Sequence, residues 1–355
     1  MPGLAQFHRR VAVQGAASPV EALLLLILWP FSLIYGLISW SRNKCYDWRL
    51  IPSYRASVPV VSVGNLAVGG TGKTPVVDFL VKEFIAQGKR PAVVSRGYGG
   101  SFVGSVGIVS QAAGLLLSAA EAGDEPYLLA CKNPQALVLI ARKRADGVRV
   151  AVDELAADII ILDDGFQHRA VQRDLDLVLL DAKRPYGNRW PLPAGLLREF
   201  PAALKRADLL MLTRSSEETE FSFAAKPVVK SRHQLSDQAI GLDGQQLSLQ
   251  SLSQQKLFAF AGIADPAGFF AALNASGLQI GGSLSLSDHC SYDQQFIEEI
   301  VAAASRCDAL ITTEKDAVKL SAGMFELPCY QVPMSIVIEN EADFMSELNQ
   351  RLWSS

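Results

Sequence analysis

The stretch GNLAVGGTGKTP, Gly64 to Pro75, constrains the fold more than any other part of the chain. It approximates the phosphate-binding pattern G-x-x-x-x-G-K-[ST], with Ala67 where the first glycine usually stands. That first position mainly needs a small residue. Before the loop, VPVVSVGN (58–65) is a β-branched run and predicts a buried strand. After it, Val76, Val77, Leu80, Val81, Phe84 and Ile85 recur at helical spacing until Gly88 stops the helix. Strand, glycine loop and helix in that order are the context such a loop requires. Gly69, Gly70, Thr71, Gly72, Lys73 and Thr74 are therefore the expected nucleotide cradle. The glycines let backbone N–H groups turn inward around phosphates, Lys73 reaches the β- and γ-phosphates, and Thr74 ligates Mg²⁺. The helix N-terminus adds its positive dipole end.

Further apolar runs follow: RPAVVS (90–95), ALVLIA (136–141), ADIIILDD (157–164), LDLVLLD (175–181) and ADLLMLTR (207–214). Helical segments lie between several of them. This alternation predicts an α/β fold with a parallel sheet covered on both faces. A polar stretch at 215–227 and a Gln/Ser-rich one at 242–255 interrupt it. A second α/β run then begins at KLFAFAGIADPAGFFAALNASG (256–277). The expected organisation is an apolar helix with a basic flank (1–56), a P-loop domain (57–225), a linker (226–255), a smaller α/β domain (256–330) and a return segment with a helix (331–355).

Ala22 to Trp40 is uncharged and apolar on all faces, and as a helix it would be about 28 Å long, close to a bilayer's hydrocarbon thickness. Pro30 predicts a kink in it. A buried helix of the main domain is the alternative. Trp29, Tyr35 and Trp40 are expected interfacial anchors. Arg42, Lys44, Arg49 and Arg55 follow the stretch, whereas only Arg9 and Arg10 lie close before it; this bias predicts that the rest of the chain faces the cytoplasm. A net charge of −3 gives no basis for nucleic-acid binding, and five dispersed cysteines without a C-x-x-C pair suggest reduced thiols.

IIILDDGFQH places Asp163 and Asp164 at the end of an apolar strand, where a P-loop site usually carries its Mg²⁺-organising acid. The polar run Gln167, His168, Arg169 follows. EAGDEP sets Asp124 and Glu125 at a turn, and LSDHCSYD carries Asp288 and His289; taken alone, each is compatible with a solvated loop. Arg96, Arg142, Arg144, Arg198 and Glu199 are compatible with surface charge.

In order, GNLAVGGTGKTP, SRGYGG, GDEP, LDDGFQHR, LPAGLLRE, SDHCSYD and TTEKDAVKL resemble the signature runs of the tetraacyldisaccharide 4'-kinases, the lipid A 4'-kinases of Gram-negative bacteria. The resemblance covers nearly the whole chain. It implies two α/β/α domains joined by a two-stranded linker, with the active site between them. It implies ATP and Mg²⁺ as cofactors and a lipid disaccharide 1-phosphate as substrate, phosphorylated on its 4'-hydroxyl to form lipid IVA. It also implies work at the lipid surface on the cytoplasmic face of the inner membrane. Carried over by motif, Lys73, Asp124 and His289 would be catalytic. Thr74, Asp163 and Asp164 would organise the metal, and Glu125, Arg144, Gln167, His168 and Glu199 would line the site. Cys290 departs from members that carry a second histidine there. The rival reading is a membrane-associated P-loop ATPase switch. Such proteins often carry a lysine where Val68 stands, which argues against it.

Overall fold

The computed structural model describes residues 10–12, 15–216, 219–223 and 226–353. Arg9 of the charge bias, residues 217–218 and 224–225 of the polar stretch, and both chain ends lie outside them.

The P-loop strand Val60–Asn65 sits inside a ten-stranded sheet. Ile159–Asp163 flanks it on one side and Leu175–Asp181 on the other, both parallel to it. The parallel set continues outward through Pro91–Ser95 and Leu137–Ala141 on one side, and through Leu209–Thr213 and Val228–Leu235 on the other. The sheet is mixed at both edges. Val106–Gln111 runs antiparallel to Leu137–Ala141, and Met334–Ile338 runs antiparallel to Val228–Leu235. The inner strands are uniformly buried, as continuous apolar runs covered on both faces must be. Parallel strands all deliver their C-terminal ends to one rim, where ligands of open α/β sheets bind. Asn65, Ser95, Asp163 and Asp181 close four of these strands on that rim.

A second sheet of six strands is built around Lys256–Ala261 and Ala309–Thr313. Residues 226–255, expected as a linker, are divided between the sheets. Val228–Leu235 is part of the first, and Gln238–Gly241 and Gln246–Ser248 are part of the second. The chain returns in the same way, from Cys329–Val332 in the second sheet to Met334–Ile338 in the first. The Ser236 N–H donates to the Pro333 carbonyl where the two crossings meet. The returning chain ends in the helix Glu341–Trp353, whose Phe344, Met345, Leu348 and Leu352 complete the first core.

The N-terminal helix, Pro19–Asp47, is longer than the apolar stretch and continues through Pro30 without a break. Ser18 caps it and Pro19 begins it, a favoured arrangement for a helix start. Its contacts with the body are the reverse of a core helix. The residues it buries are Glu21, Ser32, Gly36 and Asn43, while Leu26, Ile27, Phe31, Ile34, Leu37, Ile38 and Trp40 face outward. The Ala194 N–H donates to Ser32 Oγ at 2.7 Å, and Asn43 Nδ2 donates to Glu199 at 2.7 Å. A Cβ at Gly36 would collide with the Phe200 ring. The helix is therefore held mainly by small and polar side chains, with Trp29 edge-on to the Trp190 ring at 5.5 Å. The alternative of a buried core helix does not hold.

Candidate active site

The P-loop leaves the strand at Asn65 and enters the helix Lys73–Ala86 through Gly72, which caps it at φ 80, a left-handed conformation natural to glycine. Asn65 holds the loop from within, donating from Nδ2 to Thr71 Oγ1 at 2.9 Å and to the Gly69 carbonyl at 3.3 Å. Gln167 in turn donates to the Asn65 carbonyl at 3.0 Å. The expected cradle residues thus form one loop, with Lys73 Nζ 3.5 Å from Asp164 Oδ1.

The two adjacent aspartates sit in opposite electrostatic settings. Asp163 is buried, and Ser95 Oγ donates to its Oδ2 at 2.8 Å. Burial, reinforced by the charges of Glu125 and Asp164, pushes its carboxyl up to about 6. Its Oδ1 has no hydrogen-bond partner. Burial alone would also raise Asp164, but Lys73 and Arg198 outweigh it and hold the group down at about 2. Arg198 Nη1 reaches both Asp164 oxygens, at 2.7 and 2.9 Å. Asp164 is therefore a committed counter-ion, whereas Asp163 has a free oxygen and an unmet demand for positive charge.

This bears on the metal. Among the described residues no three His, Cys, Asp or Glu side chains converge as a preformed cage. Mg²⁺ at a phosphoryl-transfer site takes one or two protein oxygens and completes its shell from phosphates and water. The orphaned Asp163 Oδ1 and the hydroxyl of Thr74 at the helix start are hard oxygens that fit that demand.

Asp124 and Glu125 open the helix Asp124–Lys132, and both face residues of the second sheet's domain. His289 Nδ1 lies 3.2 Å from Asp124 Oδ2, and Lys319 Nζ lies 3.2 Å from the same oxygen. Burial would raise Asp124, but His289 and Lys319 outweigh it and hold the carboxyl below its usual range. Lys315 pairs with Glu125 at 2.8 Å and Asp288 at 3.1 Å, and its Nζ is 3.4 Å from His289 Nε2. An ammonium can only donate, so His289 Nε2 is the acceptor and the ring proton is on Nδ1, facing Asp124. The ring is further fixed by edge-to-face contact with Tyr98 at 5.5 Å.

The remaining expected residues divide. Arg144 is buried behind the strand ends, donating to the Ala141 carbonyl at 2.8 Å and the Asp163 carbonyl at 3.3 Å. It is not a surface charge. Burial and the neighbouring Arg144 hold His168 down at about 4, so its imidazole is neutral. Glu199 is buried away from this group. Its partners are Asn43, Arg206 and Arg42, and it docks the N-terminal helix. Sequence reading singled out neither Ser95 nor Asn65, and it took no residue from TTEKDAVKL, although that run supplies Lys315 and Lys319.

Comparison with known proteins identifies the family. Residues 24–353 match the family model described as tetraacyldisaccharide-1-P 4'-kinase. The tetraacyldisaccharide 4'-kinase of Syntrophotalea carbinolica is 47% identical over 350 residues, covering 98% of each chain. That of Geobacter sulfurreducens is 42% identical over 326 residues, covering 91% of this chain and 92% of the relative. The crystal structure of LpxK from Aquifex aeolicus in complex with ATP superposes with a TM-score of 0.79 at 33% identity, covering 93% of this chain and all of that one.

Proposed function

The chain belongs to the tetraacyldisaccharide-1-P 4'-kinase family, and from that premise we infer that its cleft transfers the γ-phosphoryl group of ATP to the 4'-hydroxyl of a tetraacyl glucosamine disaccharide 1-phosphate. The product is lipid IVA, a step of lipid A and so of lipopolysaccharide biosynthesis. The observation that carries the acceptor chemistry is the Asp124–His289 contact at 3.2 Å, made between the two domains.

The chemistry follows from the reaction's demands. A sugar hydroxyl is a weak nucleophile, and phosphoryl transfer asks mainly for in-line positioning and charge neutralisation. The loop N–H groups and Lys73 hold the phosphates. Thr74 and Asp163 would hold Mg²⁺, which when bound neutralises charge on the β- and γ-phosphates. The acceptor oxygen forms the new bond to Pγ, the bond from Pγ to the bridging oxygen breaks, and ADP leaves. Asp124, ionised at neutral pH, accepts the hydroxyl proton. His289 and Lys319 orient the carboxylate, and Lys315 fixes the histidine tautomer.

The outward apolar face of the N-terminal helix supports work at a lipid surface. Among the described residues it is the one helix long and apolar enough to cross a membrane. The acceptor's acyl chains remain in the bilayer, so a kinase held there meets the sugar head group where it is displayed. With the basic residues that follow the apolar stretch, we place the catalytic body on the cytoplasmic face of the inner membrane.

Incubation with γ-labelled ATP and the lipid disaccharide tests the reading. It predicts label on the lipid. Label released only as free phosphate, whether or not lipid is present, would refute it in favour of an ATPase switch.

A further inference from the structure

Arg214 stands where the first domain, the second domain and the phosphate loop meet. It follows the strand Leu209–Thr213 and is held at φ 57, uncommon for a residue with a side chain. Its guanidinium has three partners on three elements. Nη2 donates to the Gly70 carbonyl of the phosphate loop at 2.8 Å and to Asp181 Oδ2 at 2.7 Å. Nη1 donates to Asp265 Oδ2 at 2.8 Å. Asp265 is the N-cap of the second domain's helix Pro266–Ala275, where its other oxygen accepts from the Gly268 N–H at 3.2 Å.

The geometry has a physical consequence for the loop. A phosphate cradle needs its N–H groups turned inward, and that turns carbonyls outward, where each needs a donor of its own. Arg214 supplies that donor to Gly70. The second domain touches the same residue directly, since a Cβ at Gly70 would stand 2.7 Å from the Ala264 Cβ. On the next turn of the loop, a Cβ at Gly72 would collide with the His233 ring from the strand that crosses between the domains. Burial and the neighbouring Arg214 hold that histidine down at about 4, so it packs there as a neutral ring.

We propose that Arg214 is a positioning residue that couples the seating of the second domain, through Asp265, to the backbone shape of the phosphate loop, through the Gly70 carbonyl. Nucleotide affinity then depends on Asp265, a residue outside the loop and in the other domain. The proposal rests on the nucleotide half of the kinase reading and is independent of the acceptor.

The test compares Arg214→Met, Arg214→Lys, Asp265→Asn and the Met/Asn double variant in the full-length protein. ATP affinity is read by calorimetry, acceptor KM by phosphorylation, and folding by thermal melting. ATP affinity should fall at least tenfold in Arg214→Met and at least threefold in Asp265→Asn, with acceptor KM within twofold of wild type. Arg214→Lys should recover part of the loss, because an ammonium keeps the charge but not the three-way fork. The double variant should bind ATP no more weakly than Arg214→Met, because both changes cut one connection. ATP affinity within twofold of wild type in Arg214→Lys and Asp265→Asn, or additive losses in the double variant, would overturn it. If Arg214→Met does not fold, the lysine and asparagine variants decide. A wild-type protein that binds ATP but leaves the lipid unlabelled would refute the acceptor assignment and leave this coupling standing.

Discussion

The two sides of the cleft are built in different ways. The nucleotide side is one strand, one loop and one helix, contiguous from Val60 to Ala86, completed by Asp163 and Asp164 on the neighbouring strand. The acceptor side has no contiguous element. It exists because Asp124 in the first domain meets His289, 165 positions away, and Lys319 in the second, while Glu125 beside it meets Lys315. Holding a phosphate chain is a task for backbone amides and a helix end, which a local motif can supply. Ionising and orienting a base needs charges brought in from several directions, which only the tertiary fold supplies. A change on the nucleotide side should therefore abolish binding and turnover together, and one on the acceptor side should separate them.

The largest expected effect tests the first half of that statement. Lys73→Met removes the phosphate loop's own cation, and kcat/KM should fall by about 10³-fold or more, with ATP affinity falling too. Steady-state kinetics and calorimetry check both. Unchanged ATP affinity would mean that Lys73 acts only in the transition state, and the comparison between the two sides would lose its sharpness.

The N-terminal helix should be separable from both sides. Leu26, Ile34 and Leu37 are exposed on the outward face of the helix. Changing all three to glutamine should move the protein from the membrane to the soluble fraction at least tenfold, since each buried apolar side chain is worth about 1.5–3 kcal/mol. ATP affinity should not move. Flotation on vesicles reads the partition, and an unchanged membrane fraction would contradict lipid anchoring.

A smaller effect concerns stability. The folded Asp163 carboxyl is raised to about 6 from an ordinary value of 3.8. Below about pH 4 the group is protonated in both states and costs nothing. As the pH rises from about 4 to about 6 the unfolded chain ionises first, so the native state loses stability, and the loss is complete above the folded pKa. Asp163→Asn keeps an oxygen for Ser95 and removes this penalty. Without nucleotide it should be more stable than wild type by about 2–3 kcal/mol at pH 8, with the difference vanishing near pH 4. Denaturant melts at the two pH values check it. A less stable variant at pH 8 would show that Asp163 is satisfied by a partner of its own.

How legible each side was follows from the same contrast. Periodicity and the glycine loop were enough to locate the strands at 60–65, 91–95, 159–163 and 175–181 and the helix at 73–86, because burial on both faces leaves continuous apolar runs. The pairing of Asp124 with His289 rested on resemblance alone, and nothing in the spacing of either run requires the two to meet. Lys315 and Lys319 escape notice because a lysine just past the end of a strand reads as solvated until the opposite domain is seen. Resemblance alone carries Glu199 towards the site; its side chain goes to Asn43 of the N-terminal helix, whereas that of its neighbour Arg198 goes to Asp164. The division of 226–255 between the sheets was hidden because its strands are short or only partly buried and carry no continuous apolar run.

The central claim is that the cross-domain pair performs the acceptor's chemistry while the phosphate loop holds the nucleotide without it. Measuring ATP affinity and lipid phosphorylation side by side in Asp124→Asn and His289→Ala tests that directly. The account predicts turnover lower by about 10²–10⁴-fold, the range of a lost general base, with ATP affinity within about twofold of wild type. Turnover near wild type in either variant, or ATP affinity falling in step with turnover, would contradict it.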